Sequence, residues 1–175
     1  MIAPQEFAEK ALKDFSSCLA VHLAAMGQKL GLFQLLGQSG PLTSHELAQR
    51  SGYQERYLRE WLSALAAAGW LDYHEQKFSL DSQRASQLND EMNPMYLGGF
   101  LEFIAPATSI IPQLSQCFLN GGGVSYRQHH PQMHQVVDKL TCTNHRHFLT
   151  GHWLPNLLPQ LHQQLLQGRE VADVG

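Results

Sequence analysis

The chain has 175 residues, enough for one domain with a proper core or one domain with extensions. Its formal net charge of -3 argues against a dedicated DNA-binding role, which a basic domain usually carries. A hydrophobic fraction of 43% beside a charged fraction of only 15% leaves apolar surface for a partner to cover.

The first predicted element is a long helix from Gln5 to about Met26. Phe7, Ala11, Phe15, Leu19, Leu23 and Met26 recur at helical spacing, and Cys18, Ala20, Val21, Ala24 and Ala25 extend the apolar surface almost all the way round. Such a helix needs burial on most faces, which points to a second subunit. A second helix is expected from Gly27 to Gly37, with Leu30, Phe33 and Leu36 on one face, broken by Gly40-Pro41.

Thr43 to Leu80 organises the rest. Thr43 and Glu46 have the spacing of a capping box, and Gly52 can stop the helix they open. The next helix places Leu58, Trp61, Leu62 and Leu65 on one stripe and ends at Gly69. Leu71-Asp72-Tyr73 and Phe78-Ser79-Leu80 alternate with period two around a His74-Glu75-Gln76 turn. Helix, turn, helix and hairpin in that order make a winged helix-turn-helix.

Beyond the wing, Ser82 to Leu88 reads as a weak helical turn. Pro94 sits near the start of the apolar segment MYLGGFLEFIAPA, where Gly98-Gly99 would let a backbone or ligand come close. Further helices are expected over 108–119, 132–148 and 159–167, with a Gly121-Gly122-Gly123 loop between the first two. Val171-Ala172 looks like the start of a buried parallel strand. The fold class is therefore mainly α: a winged helix-turn-helix with a long N-terminal dimerisation helix, a two-stranded wing and additional C-terminal helices.

Cys18, Cys117 and Cys142 lie far apart with no zinc or redox spacing, as in a cytoplasmic protein with reduced thiols. No signal peptide is expected from the opening MIAPQEFAEK, and no apolar run reaches the roughly 18 residues of a membrane span. No membrane partner is expected. His129, His130, His134, His145, His147 and His152 cluster late in the sequence, but no acidic or cysteine ligand stands at a recognised spacing, so no metal is expected. Arg56 and Arg59, on the second helix of the helix-turn-helix, and Lys77 in the wing are the candidate DNA contacts. Glu55 and Glu60 stand beside the arginines and would repel phosphate, so DNA binding is not the expected role.

The runs KLGLFQLL, PLTSHELAQRSG and ERYLREWLSALAAAGWLDY resemble the N-terminal region of bacterial S-adenosylmethionine-dependent methyltransferases of the winged-helix type. MYLGGF, GGGVSY and LPNLLPQLHQQLLQGREVADVG look like the same family in the same order. By that resemblance VADVG opens the first cofactor motif, so that Asp173 and Gly175 match its beginning and the rest of a Rossmann-like domain is missing. The resemblance divides the chain into a dimerisation helix (1–28), the winged helix-turn-helix (29–81), a helical acceptor-pocket segment (82–168) and the start of the missing domain (169–175). It implies aromatic lining of a small-molecule acceptor pocket from Tyr96, Phe100, Phe103, Tyr126 and Trp153, and a homodimer through the N-terminal helix. S-adenosylmethionine would serve the full-length parent, and none is expected on this chain alone. The alternative is a winged-helix transcriptional regulator.

Overall fold

The computed structural model describes residues 2–172. Continuous helical periodicity at the N-terminus gives α1, Pro4–Lys29, with proline in its first turn. The expected break at Gly27 is not there. Gly27 lies inside the helix, and glycine is needed there because a side chain would strike Trp61: a Cβ would stand 2.2 Å from its Cζ2. The chain turns instead at Gly31, whose φ of 69° suits glycine, and α2 (Leu32–Ser39) leaves at 76° to α1.

α3 (Ser44–Ser51) opens with the expected capping box. The Thr43 hydroxyl accepts from Glu46 N at 3.2 Å, while Glu46 Oε2 accepts from Thr43 N at 2.8 Å. Gly52, at φ 74°, ends it. α4 (Glu55–Ala67) buries Leu58, Trp61, Leu62 and Leu65 against Phe33, Leu36 and Leu47. The Trp61 indole donates to the Leu23 carbonyl at 2.8 Å and ties α4 to α1.

The wing is shifted by one residue from the alternation. β1 (Asp72–His74) pairs antiparallel with β2 (Lys77–Ser79), joining Tyr73 to Phe78, and a Glu75-Gln76 turn with φ 47° and 62° closes the hairpin. Leu42 and Phe78 exchange both backbone bonds, at 2.9 and 2.8 Å, and moor the wing to the start of α3.

α5 (Ser82–Asn89) is a capped helix rather than a weak turn: Asp81 accepts from Gln83 N and Arg84 N. Arg84 binds Asp81 and Asp72 and donates to the Trp70 carbonyl, joining α5 to the wing. α6 (Gly98–Thr108) packs between α1 and α8 (Met133–Asn144). What Gly98 admits is the ring of Tyr96, within 2.6 Å of where a Cβ would stand, and not a ligand or a distant backbone.

The expected helix over 132–148 changes character. α8 ends at Asn144 and a π-helical segment, His145–Trp153, continues it. α7 (Ile111–Asn120), α9 (Leu154–Leu157) and α10 (Pro159–Leu166) bury none of their residues, and Phe118 on α7 is 86% exposed. Val171 and Ala172 lie in no strand, with Val171 73% exposed, and the remainder of the expected strand lies outside the described residues. Among the described residues no single helix is long and apolar enough to cross a membrane.

Candidate functional site

The concavity with the most convergent chemistry lies where α1, α6 and α8 meet. It is a cleft of about 580 Å³. Ala25 and Met26 come from α1, Leu101, Ile104, Ala105 and Pro106 from α6, and Val136 from α8. Its polar lining comprises His22, Gln28, Lys29, Glu102, Gln132, Gln135 and Lys139. Packing of α6 against α1 on one side and α8 on the other brings these distant stretches together.

Lys139 is the electrostatic centre of this lining. Its Nζ donates to Glu102 Oε1 and Oε2 at 2.9 and 3.0 Å and lies 3.4 Å from Glu91 Oε1. Burial pulls its pKa down, but the bonds and charge of Glu102, with Glu91, outweigh burial and leave it raised. The amine is thus held charged between two carboxylates. Gln28 donates its amide nitrogen to the Leu88 carbonyl at 3.0 Å, and its Oε1 is buried without a partner.

The aromatic candidates separate. Tyr96 and Phe100 share a smaller cleft of about 190 Å³ with Lys139 and Leu140. Tyr96 is buried, and desolvation, reinforced by the Glu102 charge, raises its pKa. Phe100 is 57% exposed. Phe103 is half-buried on α6. Tyr126 meets His134 edge-on at 4.3 Å, and Trp153 stacks on Phe148 at 6.1 Å. Gly121, Gly122 and Gly123 face open space. Asp173 and Gly175 lie outside the described residues, whose strands are those of the wing, so no described strand and glycine-rich turn fits an S-adenosylmethionine ribose.

A second groove, of about 800 Å³, runs between α3, α4 and the wing, with Tyr73 and Phe78 on one wall and His45, Arg59, Ser63 and Gln76 along it. This is the face a DNA-binding winged helix uses. Glu55 dominates its corner: it accepts from the Ser44 hydroxyl at 2.7 Å and lies 3.8 Å from Arg59. Arg56 is exposed, and the Lys77 charge faces Glu46. Among the described residues no three His, Cys, Asp or Glu side chains converge to hold a metal. His129 Nδ1 and His147 Nε2 are buried without partners.

Comparison with known proteins bears on the winged part first. Residues 17–90 match the Rv2258c-like winged HTH domain. No curated protein matches the chain. Among solved structures, the mitomycin 7-O-methyltransferase MmcR shares the fold, with a TM-score of 0.59 and 23% identity. The likeness covers 81% of this chain and 45% of that one, so the chain spans under half the length of this relative. It therefore extends past the Rv2258c-like domain into the helices that follow the wing.

Proposed function

We propose that this chain is the N-terminal dimerisation and acceptor-binding part of an S-adenosylmethionine-dependent methyltransferase that acts on a small molecule. The single observation that carries this reading is the reach of the fold likeness. It takes in 81% of the chain, whereas the winged helix alone occupies residues 17–90. A winged regulator needs no such trailing helices.

Each part then has a role. α1 offers Phe7, Phe15 and Leu19 to a second subunit; Phe7 is 60% and Phe15 63% exposed. The winged helix is a packing scaffold that fixes α1 relative to α6. The segment from α5 to α10 shapes the acceptor site and holds the acceptor near the methyl donor. Positioning of this kind supplies much of the acceleration of a group transfer. Donor binding belongs to a Rossmann-like domain of the parent enzyme.

A calorimetric titration of this chain with S-adenosylmethionine tests the division of labour. The expected result is no measurable heat of binding. Micromolar affinity would overturn it.

A further inference from the structure

We propose that the cleft between α1, α6 and α8 binds an uncharged, hydroxylated small organic molecule. The proposal rests on the acceptor-binding reading and deepens it, because it names the place and the chemistry of the acceptor.

Size comes first. The cleft holds about 580 Å³, within the roughly 300–1,000 Å³ of pockets that take small molecules. Its apolar walls are Ala25, Met26, Ile104, Ala105 and Val136; the two alanines are small and Met26 is unbranched and adaptable, which leaves room for a flat ring system.

Polarity selects the head group. Glu102 and Lys139, joined at 2.9 Å, put a charged pair in the lining. The N–H groups of Lys139 already face Glu102 and Glu91, while the Glu102 carboxylate keeps lone pairs to which a guest hydroxyl can donate. An anion would meet Glu102 with Glu91 behind it, and a cation would meet Lys139 with Lys29 in the same lining. The paired charges thus favour a neutral guest.

The test uses the whole chain and 1-naphthol as probe, followed by amide chemical shifts. Saturable binding below about 1 mM is expected, with shifts at Ile104 and Val136. Ala105→Trp fills the cleft from an exposed position on α6 and should weaken binding by roughly tenfold or more. Met26→Trp fills it from α1 and serves if the first variant melts early. Naphthalene-1-sulfonate should bind roughly tenfold more weakly than naphthol. Wild-type affinity in a folded filled variant overturns the proposal, as do equal binding of the sulfonate and absence of saturation. An absence of naphthol binding by a dimeric chain would remove the cleft and leave the domain reading standing. A monomeric chain that binds naphthol would do the reverse.

Discussion

The indole of Trp61 lies against the α-carbon of Gly27 and donates to the Leu23 carbonyl at 2.8 Å. One aromatic residue thereby fixes the crossing of α1 over α4, and the glycine is what permits the approach. Gly27→Ala should cost about 1–3 kcal/mol, since the added methyl overpacks a full site. Trp61→Phe should lose about 1 kcal/mol for the hydrogen bond, with a further loss from the smaller ring. Urea unfolding of the two single variants and the double variant checks this. The alanine should cost less in the phenylalanine background, and strict additivity would show that the contact is not the cause.

The Thr43–Glu46 box makes a prediction about acid. The backbone N–H and then the hydroxyl of Thr43 hold the Glu46 carboxyl below its ordinary value of 4.5. A depressed carboxylate stabilises the fold above that ordinary value and loses its contribution as pH falls through the folded value. Thr43→Ala should cost about 1 kcal/mol at neutral pH. The backbone N–H of residue 43, the larger cause, remains in the variant, so Glu46 should move only part of the way back toward the ordinary range and the acid limb of the stability curve should flatten slightly. Carbon-detected titration of Glu46 with melts between neutrality and strong acid reads both effects.

Dimerisation is checked on α1. Phe15→Asp should shift the sedimentation coefficient to that of a monomer while the winged core melts as before, because Phe15 lies outside the core cluster. A wild-type chain that sediments as a monomer would remove α1 as the pairing surface.

Lys139 joins α8 to α6 and to the loop after α5. Lys139→Met leaves Glu102 and Glu91 without their shared cation. A partly exposed pair of this kind contributes no more than about 1 kcal/mol, so global stability should barely change. Hydrogen exchange in α8 should quicken while α3 and α4 stay protected. Unchanged exchange in α8 would show that apolar packing alone seats that helix.

The groove beside the wing predicts a negative outcome with duplex DNA. Glu55 and Glu46 oppose the few cations there, Arg59 and Lys77 among them. A mobility shift at about 50 mM salt should show no retarded duplex. Retardation that falls steeply with added salt would favour the regulator.

Where neighbours in sequence are neighbours in space, the residues announced the structure. The Thr43 cap, the Gly52 stop and the Leu58–Leu65 stripe are local devices and all are present. Taken alone, Gly27 says break, while its surroundings demand a gap for the indole of Trp61, which arrives from α4. Gly98 misled in the same way toward a ligand when Tyr96, two positions earlier, fills the space. The Asp81 cap of α5 is a local device of the same kind, an acidic side chain standing directly before the helix it opens. The cleft was not readable. Ala25, Ala105 and Val136 are ordinary apolar residues on three separate helices, and Lys139 acquires its meaning only from Glu102 and Glu91.

The hairpin tip places Glu75 and Gln76, neither of them glycine, in left-handed backbone at φ 47° and 62°. Side chains of that kind carry roughly 1–2 kcal/mol each of steric opposition there. Exchange for Asn-Gly would relieve it, and Phe78 would still be moored to Leu42. The hairpin tip is thus a ready handle for engineers: a place to harden the scaffold, or to graft a reporter, with neither residue in the lining of the cleft between α1, α6 and α8.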